Sequence, residues 1–209
     1  MRMHFRFSFY LFVAIGVSMA KAGPTEDLFK GVEIDAPHLV SQAIAAGADP
    51  NARDQKGQLP LFLALRGESF QAVDALLTVP GIAVDEANAN GETPLMMAAL
   101  RGQVAWMQRL LDRGAAVNKE GWTPLHYAAS GPSLPAVALL MERGATLDAR
   151  SPNGTTPLMM AARYGAIDAA ELLLSKGADA TLRNEKELTA ADFAAAAGRE
   201  TLAARLRPR

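Results

Sequence analysis

Gly91-Glu92-Thr93-Pro94-Leu95-Met96-Met97-Ala98-Ala99 is the stretch on which the reading of this chain turns, because near-copies of it recur four more times. Gly121 to Ala129 (Gly-Trp-Thr-Pro-Leu-His-Tyr-Ala-Ala) and Gly154 to Ala162 (Gly-Thr-Thr-Pro-Leu-Met-Met-Ala-Ala) match it most closely; Gly57 to Leu65 and Glu187 to Ala195 match more loosely. In the central copy Thr93 is a favoured helix N-cap, and Pro94 suits the first helical position, where an absent N–H costs nothing. Leu95, Ala98 and Ala99 then fall at i, i+3 and i+4, an apolar face whose alanines admit a neighbouring helix at close range. Gly102 closes this helix. A second follows, with Trp106, Met107, Leu110 and Leu111 at helical spacing, and Gly114 stops it. One copy therefore reads as helix, turn, helix, turn.

The threonines lie 30 residues apart from Thr93 to Thr123, then 33 to Thr156 and 33 to Thr189, with 34 from Pro60 to Pro94. Gly-Ala pairs recur at Gly47-Ala48, Gly114-Ala115, Gly144-Ala145 and Gly177-Ala178, and Asn51, Asn118 and Asp148 occupy a polar position shortly after. A period near 33 with Thr-Pro-Leu and a later Gly-Ala pair resembles the ankyrin repeat, whose signature is most complete at Thr123 to Ala128. That resemblance implies an all-α solenoid of stacked helix-turn-helix units joined by short β-hairpin-like fingers. It also implies binding of another protein. The expected units are an N-terminal cap over 25–54, internal repeats over 55–87, 88–120, 121–150 and 151–184, and a C-terminal cap over 185–207, within an ankyrin domain spanning 23–207.

Met1 to Ala22 is read apart from this array. Arg2 and Arg6 supply a positive start, Phe7 to Ala20 is an apolar run of about 14 residues, and Ala20-Lys21-Ala22 fits a small-x-small cleavage pattern. The run is shorter than the roughly 20 residues of a spanning helix, so a signal peptide at 1–22, cleaved after Ala22, is expected in preference to a membrane anchor. Arg2, Arg6 and Lys21 are three of the 21 basic residues, so the remainder carries 18 against 22 acidic, a net of −4. That balance gives no basic field for nucleic acid or an anionic membrane. Cysteine is absent, so stability must come from stacked apolar faces even in an oxidising compartment.

Departures from the consensus give further expectations. Asp35 is positioned to cap the second helix of the N-terminal unit, and Leu59 stands where the other copies have a capping threonine. Val79-Pro80-Gly81-Ile82 adds a bulge. Gly131-Pro132 replaces the usual inter-helix glycine, with Ser133 expected to cap the helix that follows and Pro135 in its first turn. Nine steps separate Gly114 from Thr123, whereas twelve separate Gly144 from Thr156 and Gly177 from Thr189. Three residues are missing from that finger, which predicts a notch beside Trp122. Arg205, Arg207 and Arg209 suit a final helix C-terminus, which favours cations.

Chemistry-bearing residues are sparse. Beyond the leader there are two histidines, His38 and His126. His126 is the fourth residue of Thr-Pro-Leu-His, where the resemblance implies a hydrogen bond back to the helix start and a structural role, while His38 reads as exposed. Asp74, Asp112, Glu142, Glu171 and Asp179 read as a solvated outer face, and no phosphate-cradling glycine loop, zinc-binding helix motif or nucleophile elbow occurs. No catalytic residue, cofactor or metal site is expected. Trp106 aligns with Ala136 and Ala169 and reads as core; Trp122 stands in a mostly polar column with Gln58, Glu92, Thr155 and Leu188 and reads as exposed.

Proteins with this repeat generally bind partners through the finger tips and the concave side of the first helices. The corresponding positions are Leu100 and Arg101, Trp122 with Ser130, and Arg163 and Tyr164, rich in the residue types of interface hot spots. Leu100, Arg101, Trp122, Arg163 and Tyr164 are thus the expected partner-binding residues, while Thr93, Pro94, Thr123, Pro124, His126, Thr156 and Pro157 carry the repeat motif. The Arg-bearing leader and its cleavage site look bacterial, which places the mature chain in the periplasm as a monomer. Resemblance to exported bacterial ankyrin proteins implies an accessory factor, some of these being associated with catalases and oxidative stress. An inhibitor or immunity factor against an exported toxin enzyme is the second reading, and an enzyme with an unrecognised site beside Trp122 the third.

Overall fold

Alternating apolar triplets and glycine stops produce twelve helices among the described residues, 23–207 of the computed structural model. The leader at 1–22 and Arg209 lie outside them. The helices are α1 (Pro24–Glu33), α2 (Pro37–Ala45), α3 (Pro60–Gly67), α4 (Phe70–Leu77), α5 (Pro94–Leu100) and α6 (Val104–Asp112). They continue as α7 (Pro124–Ser130), α8 (Leu134–Glu142), α9 (Pro157–Arg163), α10 (Ile167–Ser175), α11 (Ala190–Ala196) and α12 (Glu200–Leu206). Odd-numbered helices stack in sequence, α1 on α3 on α5 on α7 on α9 on α11, and α6, α8 and α10 pack in a second row behind them.

Small residues make the stacking close. Ala64, Ala98, Ala99, Ala128, Ala129, Ala161, Ala162 and Ala194 are all fully buried between first helices. Leu61, Leu95, Leu125 and Leu158, one per internal repeat, join Leu76, Leu110, Leu140 and Leu173 from the second helices in one continuous core. No unit could bury these faces alone, so each repeat is stabilised by its neighbours. The inter-helix turns are tucked in just as closely. A Cβ at Gly165 would lie 2.0 Å from the Ala129 carbonyl oxygen of the preceding repeat, which no larger residue could occupy without moving backbone.

The first helices α5, α7, α9 and α11 start directly after the threonine, as composition dictates. Thr93, Thr156 and Thr189 accept the N–H of the third helical residue, and Leu59, lacking a hydroxyl, leaves α3 without a side-chain cap although the helix still begins at Pro60. At the end of α3, Glu68 adopts φ +59°, the left-handed conformation that Gly102 takes at φ +68° in the next repeat. Ser133 caps α8 through the Ala136 N–H.

Two expectations are corrected. Asp35 does not cap its own helix: α2 starts at Pro37 without a side-chain cap, while the Asp35 carboxylate accepts the Ala72 N–H at 2.8 Å and so caps α4 in the next unit. Its φ of +53° turns it across the junction. Trp106 is not interior. It is half-buried, stacked on Phe70 at 5.5 Å with the Arg109 guanidinium over its ring at 4.5 Å, and bridges α4 to α6 at the outer surface.

The fingers are tight turns, and no strand occurs among the described residues. In four of them a polar residue seven to nine positions after the turn glycine organises the tip: Asp54, Asn88 and Asn184 each accept two backbone N–H groups within the next four residues, and Asn153 accepts the Thr155 N–H in its finger. A second polar residue, three to five positions earlier where a tip residue is present, reaches across to the next repeat. Asn51 accepts from Ala83 N–H, Asp85 from Ala116, Asn118 from Thr146 and Asp148 from Asp179. This ladder runs unbroken through the clipped finger. There the three missing residues remove the tip-forming residue, and Asn118 keeps only the ladder role.

Candidate protein-binding surface

A hollow of about 300 Å³, bordered by Trp122 at the end of the clipped finger, is lined by Leu100, Trp122, His126, Tyr127, Ser130 and Met160, with almost no polar surface. Three elements and one loop meet here: the end of α5, the start and outer face of α7, the middle of α9, and Trp122 from the shortened finger. Leu100 and Trp122 are thus brought together as expected. Trp122 is half-buried and not freely exposed: its ring stands edge-on to the His126 imidazole, centroids 5.1 Å apart.

His126 supplies the floor and fixes it. Its ring is fully buried, with Nδ1 3.1 Å from the Thr123 N–H and 2.9 Å from its hydroxyl, and Nε2 2.9 Å from the Thr155 carbonyl oxygen. A carbonyl only accepts, so Nε2 carries the proton and Nδ1 is the acceptor. The imidazole therefore closes the start of α7 and ties it to the following repeat. Burial holds its pKa below the usual histidine range, against weaker opposing effects of its backbone hydrogen bonds. At the same position in the flanking repeats Met96 and Met159 turn their sulfur to the Thr93 and Thr156 N–H at 3.4 Å, so a thioether performs the capping half of the imidazole's task.

Tyr127 forms the wall that sequence reasoning missed. Its hydroxyl donates to the Glu92 carboxylate at 3.1 Å, and burial together with that carboxylate holds the phenol well above its ordinary pKa. Glu92 is held on its other oxygen by Asn88 at 2.9 Å. Tyr127 follows His126 in the Thr-Pro-Leu-His-Tyr signature, so its identity looked like repeat consensus. Its counterparts Leu63 and Met160, in repeats whose fingers are full length, are half-buried as well. Met160 likewise read as packing, yet it is half-buried at the hollow's edge while its neighbour Met159 is interior.

The other expected contact residues are not among those lining the hollow. Arg101 is exposed and donates to the Arg66 carbonyl at 2.7 Å; Arg163 is exposed with its guanidinium 5.2 Å from the Tyr164 ring centre; Tyr164 is 57 % exposed. Exposed Tyr164 and half-buried Trp122 give this side of the solenoid two aromatic groups for contact. His38 is exposed on α2.

The carboxylates first read as a solvated face are partly organised. Asp74 pairs with Arg109 at 2.5 Å, Asp112 with Arg143 at 3.1 Å, and Glu171 with Arg205, each joining the second helix of one repeat to that of the next. Arg205 thus serves a neighbour's carboxylate. Asp179 is held below the usual carboxylate range by the Thr181 hydroxyl and N–H, and Glu142 stays on the outer helix. Among the described residues no group of three His, Asp or Glu side chains is placed to hold a metal ion, and no helix is long and apolar enough to cross a membrane.

Stacked helix pairs, a concave row of first helices and finger turns of this kind define a helical repeat solenoid that works as a protein-interaction module. The chain belongs to the ankyrin repeat family: the family model for ankyrin repeats (three copies) matches overlapping segments 28–120, 63–151, 107–184 and 134–206. Among its relatives, ankyrin repeat and SAM domain-containing protein 6 of Rattus norvegicus is 34% identical over 109 residues, covering 50% of this chain and 12% of that protein. The B-cell lymphoma 3 protein homolog of Mus musculus is 34% identical over 125 residues, 56% of this chain and 28% of that protein. Neurogenic locus notch homolog protein 2 of Homo sapiens is 33% identical over 106 residues, 49% and 4%. The chain thus spans between 4% and 28% of the length of these relatives, and the likeness is that of the repeat array.

Proposed function

We propose that this chain is an exported, non-catalytic binding module that recognises one protein partner through the concave surface centred on the Leu100–Trp122 hollow. The single observation that carries this reading is an apolar, aromatic-lined recess opening between the first helices of three successive repeats and bordered by Trp122. Interface hot spots are enriched in Trp, Tyr and Arg; Trp122 and Tyr127 line the recess, and Arg101, Arg163 and Tyr164 stand at the ends of α5 and α9, the helices on either side of α7. The rigid stack presents that surface with little ordering cost on binding. Glu92, the carboxylate beside the hollow, is already engaged by Tyr127 and Asn88, which favours binding over acid–base chemistry.

Export rests on the leader alone. Cleavage after Ala22 would leave Gly23, the residue preceding α1, as the first residue, with its nitrogen 3.3 Å from the Glu26 carboxylate, so α1 stays whole. In a bacterial cell the mature chain is then a monomeric periplasmic accessory factor, with oxidative-stress defence as its setting and no cofactor. The test is to express the full chain, confirm by mass spectrometry that the mature form begins at Gly23, and capture partners with the native protein and with the Trp122→Ala/Arg163→Ala/Tyr164→Ala variant. The expected result is one partner lost with the variant while helicity by circular dichroism is unchanged. Retention of that partner by the folded variant would move the binding surface elsewhere.

A further inference from the structure

Asn-Gly, the dipeptide whose side-chain amide is most open to attack by the following backbone nitrogen, occurs at two finger tips, Asn90-Gly91 and Asn153-Gly154. Glycine is the permissive neighbour because no Cβ hinders the approach of its nitrogen. The two tips begin alike. Asn90 and Asn153 are both exposed, Gly91 and Gly154 have φ of +78° and +74°, and their N–H groups donate to the Asn88 and Ser151 carbonyls at 2.9 and 2.8 Å. Attack on either asparagine therefore requires its turn to open, and whatever else holds that turn shut sets the rate.

Asn153 is held from several sides. Its side-chain oxygen accepts the Ser151 hydroxyl at 2.6 Å and the Thr155 N–H at 3.2 Å, and its backbone carbonyl accepts the Glu185 N–H of the next finger at 3.0 Å. Gly154 is buried beneath that finger, where an added Cβ would lie 3.2 Å from the Asn184 Cα. Asn90 lacks this cover. Its side chain takes no hydrogen-bond partner among the described residues, and the clipped finger that follows sends no backbone N–H to its tip. From that finger the Lys119 ammonium alone reaches across, to the Gly91 carbonyl at 3.1 Å, and an added Cβ on Gly91 would meet nothing nearer than that nitrogen at 4.0 Å. On the other side Ala89 donates to the Gly57 carbonyl of the preceding finger at 3.3 Å, which leaves the Asn90–Gly91 link itself free.

We propose that Asn90 is a site of self-modification, converting to aspartate and isoaspartate while Asn153 is preserved. The Gly91 backbone nitrogen gives up its proton and bonds to Asn90 Cγ; the Cγ–Nδ2 bond breaks, and the amide nitrogen leaves with that proton as ammonia. The product is a five-membered succinimide. One water then opens the ring. Breaking the Cγ–N bond gives aspartate, and breaking the bond from nitrogen to the main-chain carbonyl carbon gives isoaspartate, whose backbone runs through the side chain. The sum is asparagine plus water giving aspartate plus ammonia, with nothing oxidised or reduced. Either product adds a negative charge to an already acidic chain. The isoaspartyl form also lengthens the main chain by one atom inside the turn where Asn88 holds both the N–H and the carboxylate of Glu92, and so loosens the anchor of the Tyr127 hydroxyl.

The test incubates the purified mature chain at mildly alkaline pH, once folded and once in concentrated urea. Both asparagines are followed by digestion and mass spectrometry, and new acidic species by anion exchange. In the folded protein Asn90 should convert at least tenfold faster than Asn153, whereas in urea the two rates should converge, because the sites then differ only in flanking sequence. Asn90→Gln replaces an exposed side chain without partners and should abolish the acidic species that the native protein accumulates, with helicity unchanged. Equal rates in the folded protein, or faster loss at Asn153, would overturn the proposal. So would an Asn90 that survives folded while converting in urea, or acidic species that persist in Asn90→Gln.

Discussion

His126 is a single residue performing two tasks that the adjacent repeats divide differently, and this gives it a measurable pH signature. Free imidazole titrates near 6.5, and burial in the native state lowers its pKa. Below pH 6.5 the unfolded chain therefore binds more protons than the folded one. The contribution of His126 is complete above that pH and declines as pH falls through 6.5 toward the lowered native value. His126→Met should remove this decline, because a thioether does not titrate, and should cost about 1 kcal/mol for the Thr155 carbonyl left without its donor. His126→Ala should cost more, about 2–4 kcal/mol, because it adds a cavity. Urea unfolding of native and variant proteins at pH 5 and 7.5 checks both, and an equal slope with pH for native and His126→Met would contradict the assignment. Glu68 offers the opposite sign: with φ +59° where the next repeat has glycine, Glu68→Gly should stabilise by about 0.5–1 kcal/mol in the same assay. The caps and the histidine's backward bond were legible in the sequence because their partners lie three residues away. Asp35 was misread because its acceptor role is fulfilled 37 residues on, in the next unit.

Between repeats, polar bonds set register while apolar contact supplies most of the stability. The ion pairs Asp74–Arg109, Asp112–Arg143 and Glu171–Arg205 are substantially exposed, so removing any one should change stability by no more than about 0.5 kcal/mol, with less effect at high salt. These pairs lie 35, 31 and 34 residues apart, close to one repeat, and aligning the copies for charge as well as for apolar residues would have revealed them. The clipped finger was legible as a count of residues, and its consequence was not. Which side chains border the recess depends on how α5, α7 and α9 lean together. Tyr127 and Met160 looked like ordinary consensus positions for that reason. Inserting three residues between Lys119 and Gly121, including an Asn to organise the tip, should leave the unfolding midpoint nearly unchanged, since solenoid insertions fall in surface loops. It should weaken partner binding at least tenfold by covering the recess; unchanged affinity by titration calorimetry would show that the gap has no part in recognition.

At the scale of the molecule, six units share one core and none holds a core of its own. Terminal units have one neighbour instead of two, so native-state hydrogen exchange should be fastest in α1–α2 and α11–α12 and slowest in α5–α9. Uniform protection along the chain would contradict a nearest-neighbour stack. Fold and repeat number followed from sequence because the same local instructions appear five times in register. The partner did not, because recognition depends on the few positions where the copies disagree. The most direct test of the central claim is site-specific photo-crosslinking in the cell, with the reactive side chain placed at Arg101 or Tyr164 on the proposed binding side, or at Gln108 on α6 of the outer row. The account predicts a single partner adduct from the first two sites and none from Gln108. An adduct from Gln108 alone would place recognition on the outer row and contradict the binding surface described here.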